Sequence, residues 1–416
     1  MTADANFQER VSELISEFGK FGLNDKGGID RLALSENDRK IRNFLCAWLK
    51  KNGFEVLVDP VGNIFGVLSL GISKTDANFM CGSHLDSQPN GGLFDGTVGI
   101  AYACIGGVAL KELINRKKLK SYFKNYIVAC WTSEEGARFQ PSLLGSKVFT
   151  GNISRKDAFD LKDETGMSFK DALLAIGYKG TDTALAPDQY LEVHIEQGQK
   201  LENLNYPVGI VSSAWGARKI NLKIEGQPDH TGPTPMAQRV NALLGASKLI
   251  VKIDEIAQNS GGTIHSSVGR VTLFPNSPNT VVSEANLWIE FRADSENLLK
   301  QAEEQLNKFI RQLQGITKCK VSQTDREIRR VIELDQKAIK IVADAFTKQN
   351  ISFLNMTTIA GHDALQLQSI CPATLLFIPS KDGISHSPEE FTSQKDIEYG
   401  FSATLCAIKA VTQLFG

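Results

Sequence analysis

Residues 78–114 read NFMCGSHLDSQPNGGLFDGTVGIAYACIGGVALKELI. Asn78 to Cys81 is a short apolar run of strand type, a glycine-rich loop follows, and Gly99 to Ile114 is apolar enough for a buried helix. A strand that passes through glycines into a helix is the opening unit of an α/β fold. A second buried strand, Tyr126 to Trp131, leads almost directly into the acidic pair Glu134 and Glu135. A third, YLEVHIE at 190–196, alternates Leu191, Val193 and Ile195 with Glu192, His194 and Glu196, so its polar residues share one face. Upstream, helical periodicity spans Phe7 to Lys20 and Glu36 to Lys51, and a strand pair is expected at Phe54–Val58 and Asn63–Leu68.

The pattern changes near residue 212. Ala217–Ile224 alternates as a half-exposed strand, and Gln238–Gln258 is a long amphipathic helix. Strands at Ser266–Phe274 and Ala285–Arg292, a helix at Ser295–Leu313 and a strand at Lys318–Gln323 complete a β-α-β-β-α-β order of ferredoxin-like type. The α/β pattern then resumes with helix Asp335–Gln349, strand Ala373–Ile378 and helix Ser393–Leu414. The expected organisation is a catalytic domain of mixed central sheet (1–211 and 326–416) with an inserted α+β lid or dimerisation domain (212–325).

At 416 residues the chain is long enough for two cores. A formal net charge of −1 points to neither nucleic acid nor an anionic membrane surface. The longest apolar run, Val98–Leu110, is short for a bilayer span, and Met1–Arg10 lacks the apolar core of a secretory signal. The seven cysteines are widely spaced without a CxxC, which favours a reduced, cytoplasmic setting and argues against a thiolate metal site.

Any metal ligands must then be histidine and carboxylate. His84 and Asp86 share one side of an extended segment, and Asp95 follows in the glycine-rich loop. Glu134 and Glu135 stand at the carboxyl end of a buried strand, where open α/β sheets bind ligands. Adjacent carboxylates repel, and a cation removes that cost. His194 and His386 add two nitrogen donors. The set suits zinc, manganese, cobalt or nickel, and it holds two ions if Asp95 bridges them. One glutamate would remain free as a general base.

GSHLDSQPNGGLFDG (82–96), SEEGARF (133–139), EVHIEQGQKLE (192–202), GQPDHTGPTPM (226–236), PNSPNTV (275–281), GHDA (361–364) and ISHSPEE (384–390) follow one another along the chain. Together they resemble the amidase/hydantoinase/carbamoylase branch of the dinuclear metallopeptidase-like hydrolases, which holds L-N-carbamoylases, β-alanine synthase and allantoate amidohydrolase. The resemblance implies two divalent metal ions, zinc first among the candidates. His84, Asp95 and His194 would hold one, and Asp95, Glu135 and His386 the other. It implies Glu134 as the base, with Asp86 orienting His84 from behind. Gln197, His230, Asn279, Arg292 and Gly361 match substrate-contacting positions, with Arg292 as carboxylate clamp. His230 would reach the active site of a second subunit in a homodimer. The implied substrate is a small molecule bearing a carboxylate and a ureido or amide group. N-carbamoyl-L-amino acids come first, then allantoate or a β-ureido acid, then N-acyl amino acids. A fold of this type that binds without catalysis would be expected to lack the base or a ligand, and here all are in place. Thr280–Val281 and the FRAD form of the arginine motif depart from the family's usual pattern near the carboxylate site, so side-chain preference stays open. Gly361 and Asp363 are expected to shape the loop near the metals, a direct catalytic part for His362 stays open, and His265 carries no motif.

Overall fold

A computed structural model describes residues 5–71 and 75–414, so the first four residues of the polar N-terminal stretch lie outside it. The chain divides into two compact units, Met1–Ser212 with Leu334–Met356 and Gly361–Gly416, and Ser213–Glu333 with Thr357–Ala360.

The first unit is built on a mixed sheet. Its strands are β1 (Glu55–Val58), β2 (Ile64–Ser69), β3 (Asn78–His84), β4 (Asn125–Trp131), β5 (Gln189–Ile195) and β6 (Gly209–Ala214). Four further strands between 216 and 329 belong to the second unit: β7 (Gly216–Glu225), β8 (Ile264–Phe274), β9 (Glu284–Ala293) and β10 (Lys320–Arg329). The two-residue strand β11 (Ile332–Glu333) precedes β12 (Leu354–Thr358) and β13 (Ala373–Ile378). The first sheet runs β1-β2-β4-β3-β5-β13-β6, with β12 also on β6. Its centre, β4-β3-β5-β13, is parallel throughout. Parallel strands are covered on both faces, which explains why every residue of β5 is buried even though Glu192 and His194 alternate with apolar neighbours.

Helix Thr97–Asn115 packs on β3, β4 and β5 and against helices Ala5–Gly19 and Gln394–Leu414. By length and composition this helix could cross a bilayer, but 72% of its apolar window is buried in the unit, as befits a core helix. Helix Glu36–Lys51 begins where Ser35 accepts from the Asp38 amide, with Glu36 and Asp38 in its first turn and Lys50 and Lys51 in its last, both favourable to the helix dipole.

The second unit is an antiparallel sheet ordered β10-β7-β9-β8, crossed by helices Ala242–Gln258 and Glu296–Thr317 in β-α-β-β-α-β connectivity. Burial alternates strictly along β9, and Leu287, Ile289 and Phe291 meet Leu249 and Ile253 of one helix and Leu306 of the other. The first helix starts at Ala242 rather than Gln238, because Asn241 caps it by accepting from the amides of Leu243 and Leu244. The return expected at 326 falls inside β10, which stays paired with β7 as far as Arg329 opposite Ala217. Beyond Gln323 that strand is exposed and charged, so hydropathy carries no trace of it. The short helices Leu144–Phe149, Arg155–Asp160 and Phe169–Ala175 and the strands β6 and β12 are also unread in the sequence, being too short to establish a period.

Candidate metal centre

The carboxyl ends of the four parallel strands gather the chemistry. His84 ends β3, Glu134 and Glu135 follow β4, His194 lies near the end of β5, and His386 follows β13. Asp95 comes from the loop between β3 and its helix. That loop turns at Gly96, with φ 65°, and a Cβ there would lie 2.6 Å from His84 ring atoms, so only glycine lets the ring lie against the turn. Ser133, Gln197 and His386 also adopt left-handed backbone, at φ 56°, 57° and 55°. Non-glycine residues hold that conformation at a cost that surrounding structure must offset, and such strain collects at functional sites.

Asp95 is shared between two donor groups. Its Oδ1 lies 3.3 Å from His84 Nε2 and 3.0 Å from His194 Nε2. Its Oδ2 lies 3.3 Å from His386 Nε2, which is 3.4 Å from Glu135 Oε2. His84, Asp95 and His194 thus form one set with ligand spacing, and Asp95, Glu135 and His386 another. The far ring nitrogens are tied down, His84 Nδ1 to the Asp86 carbonyl at 3.0 Å and His194 Nδ1 to the Ile195 carbonyl at 2.9 Å, leaving each Nε2 to face the cluster. Among the described residues, His84 Nε2 is buried without a hydrogen-bond partner. A buried nitrogen left so, among carboxylate and imidazole donors with no thiol, fits a divalent cation of the zinc or manganese kind.

Charge tells the same story. Burial holds the Glu134 carboxyl well above the usual glutamate range; His84 pulls it down, and Asp363 and Glu135 push it up again. Glu135 is raised to about 7, first by burial and then by Asp95. Burial opposes protonation of His84, yet Glu134 and Asp95 carry it well above its ordinary value. His386 is raised to about 9, first by its hydrogen bond to Asp95. The carboxylates therefore draw positive charge into the cluster, the role a cation takes.

Asp86 faces both His84 and the acidic pair. Its carboxylate stands 3.8 Å from His84 Nδ1, and its own backbone carbonyl holds that nitrogen. The carboxylate accepts from the amides of Glu134 and Glu135, both at 3.2 Å, and so fixes the turn that presents the acidic pair. Glu134 is 8% exposed, with Oε2 3.6 Å from His84 Nε2. Gln197 lies within the cluster, donating from Nε2 to Asp95 Oδ2 at 2.8 Å. Gly361 precedes His362, whose buried ring stacks edge-on at 4.7 Å from His194 and 5.1 Å from Phe377, with neither nitrogen hydrogen-bonded among the described residues. Burial, then His194, keeps that imidazole neutral by lowering its pKa well below the usual value.

His230, Asn279 and Arg292 belong to the second unit. His230 bridges to Thr280, and the Thr231 amide donates to the Asn279 carbonyl at 3.2 Å, so those two loops are paired. Arg292 lies on β9 with Nε 3.1 Å from Glu290 Oε1. His265 sits opposite Arg292 in register and packs on Trp215 at 4.9 Å, a place no motif announced. Two residues that touch the centre went unassigned in the sequence. Ser385 and Glu390 lie inside ISHSPEE beside His386, and position within a motif was the only signal they carried.

A profile of Peptidase family M20/M25/M40 matches residues 80–410. The chain is 36% identical to a hydrolase of Mycolicibacterium smegmatis over 92% of its own length and 88% of the relative's. It is 31% identical to an N-carbamoyl-L-amino-acid amidohydrolase of Rhizobium meliloti, covering 93% and 92% of the two chains. To an allantoate amidohydrolase of Bacillus subtilis it is 30% identical, over 94% and 95%. Among solved structures, an amidase of the hydantoinase/carbamoylase family from Burkholderia multivorans superposes with a TM-score of 0.87 at 30% identity, over 99% and 98%. Fold and site together define a hydrolase that acts on C–N bonds. The chain belongs to Peptidase family M20/M25/M40, on the side of the hydantoinase/carbamoylase amidases.

Proposed function

We propose that this hydrolase is an N-carbamoyl-L-amino acid amidohydrolase, converting a ureido acid and water to the amino acid, carbon dioxide and ammonia. The observation that carries the reading is the sharing of Asp95 between two donor groups, with the buried carboxyl of Glu134 beside them. His84, Asp95 and His194 would hold one divalent cation, and Asp95, Glu135 and His386 a second, zinc or else manganese, cobalt or nickel. When bound, such a pair polarises the scissile carbonyl and lowers the pKa of a water molecule. Glu134 takes a proton from the attacking water and returns it to the departing nitrogen as the C–N bond breaks. Asp86 keeps Glu134 in place through its backbone amide. Arg292 pairs with the substrate carboxylate through its planar fork, and Gln197, Asn279 and Gly361 line the substrate. The buried thiols of the chain suit a reduced, cytoplasmic setting.

The similarity to an allantoate amidohydrolase favours allantoate as the second reading. Ammonia release across carbamoyl-L-amino acids, carbamoyl-β-alanine, allantoate and acetyl-amino acids separates them. Turnover of the α-carbamoyl acids is expected to exceed the rest by at least about tenfold in kcat/KM, a difference of roughly 1.4 kcal/mol. Faster release from allantoate or the β-acid would replace the proposed substrate.

The same reading includes a homodimer in which His230 of each subunit stabilises the developing oxyanion in the other. Mixing His230→Ala subunits, inactive alone, with inactive Glu134→Gln subunits is then expected to restore a substantial fraction of native activity, because one hybrid site regains both groups. No recovery after verified subunit exchange would place His230 in its own chain's site.

A further inference from the structure

Glu390 is 5% exposed, yet its carboxylate has no basic partner among the described contacts. Its Oε1 accepts from the amides of Phe94 and Asp95, at 2.8 and 3.0 Å. Its Oε2 lies 2.8 Å from Ser385 Oγ, which is itself 3.1 Å from Asp95 Oδ2. One serine proton lies between two carboxylates, while Gln197 Nε2 donates to both Ser385 Oγ and Asp95 Oδ2. The loop makes room for this arrangement at Gly92, where any Cβ would overlap the Glu390 carboxylate. A buried carboxylate satisfied by backbone amides and a hydroxyl stabilises a fixed loop geometry, since each of those donors would otherwise be unpaired.

We propose that Glu390 is a positioning residue: it locks the loop carrying Asp95 to the loop carrying His386 and thereby sets the spacing of the two donor groups. The inference rests on the metal-centre reading above. Glu390 is bonded to the Asp95 amide directly and to the Asp95 carboxylate through Ser385, so it acts on the donor groups through Asp95. Without it the Asp95 backbone loses an anchor and Oδ2 can drift from His386. Groups that hold metal ligands in place in this way typically matter 10–100-fold in metal affinity, on the order of what is expected here.

The test is zinc affinity, read by competition with a chelating dye, with melting temperature measured alongside. Glu390→Ala is expected to weaken zinc binding by about 10–100-fold and to lower kcat with KM nearly unchanged. Glu390→Gln keeps an oxygen for both amides and offers its NH2 to Ser385, so it is expected to recover most of the loss. Gly92→Ala leaves every ligand and Glu390 chemically intact but displaces the carboxylate, and is expected to weaken zinc as Glu390→Ala does. If Glu390→Ala does not fold, Gly92→Ala and Glu390→Gln decide the matter. Native zinc affinity in folded Glu390→Ala or Gly92→Ala overturns the proposal, as does a Glu390→Gln as weak as the alanine variant. Asp95→Ala is the control. If it too retains zinc, the metal centre itself is misassigned; if it alone loses zinc, only the role of Glu390 falls.

Discussion

Replacing Glu134 by glutamine is expected to lower turnover by about 10²–10⁴-fold while leaving the number of bound cations unchanged. The side chain keeps its shape and its place, because what fixes it is the bond from its backbone amide to Asp86, which the substitution does not touch. The amide cannot accept a proton, so the loss falls on kcat, and roughly 3–5 kcal/mol of transition-state stabilisation disappears. Glu135→Gln gives the contrast. Its Oε2 faces His386 Nε2 at 3.4 Å within the second donor group, so that change is expected to deplete one cation as well as activity. Metal analysis and steady-state kinetics on the two purified variants separate base from ligand. Near-native turnover in Glu134→Gln would move the base elsewhere.

Asp95→Ala is expected to lose both cations, and with them all measurable activity. Among the described residues, only Asp95 contributes an atom to each donor group, Oδ1 toward His84 and His194 and Oδ2 toward His386. Removing one histidine leaves the other group whole, so His84→Ala, His194→Ala and His386→Ala are each expected to retain more metal. Burial adds to the effect, because the charge on His194 and His386 would lose its nearest carboxylate. Elemental analysis after purification without chelator reads this directly. An Asp95→Ala protein with full metal content would show that Asp95 does not join the two groups.

Much of this was written locally in the chain. The strand-loop-helix reading of residues 78–114 is right to within a few residues, since a buried strand and an all-round apolar helix are defined by composition alone. The acidic pair after IVACW was legible as a site because a polar pair that ends a buried parallel strand emerges at the ligand-binding edge. His194 is a harder case. Alternation suggested a polar sheet face, but the face is covered, and the histidine is buried because it turns toward the cluster. The inserted unit runs past the boundary expected at 326 for a related reason. Strand β10 is held by pairing with β7 rather than by apolar side chains, and backbone pairing leaves no mark on hydropathy.

By itself the sequence determined which residue types were available and which local elements carry them: histidine and carboxylate without a thiol site, placed at strand ends and in a glycine-rich turn. Those are properties of neighbouring residues, and period and composition report them. Tertiary structure alone decided that Asp95 reaches both donor groups, that the Asp86 carboxylate also serves the amides of Glu134 and Glu135, and that Glu390, 295 residues along the chain from Asp95, accepts its backbone amide. Hydrogen bonds of this kind are made across a few ångströms between loops remote in sequence. Their partners are chosen by the packing of the parallel sheet, which no local pattern encodes.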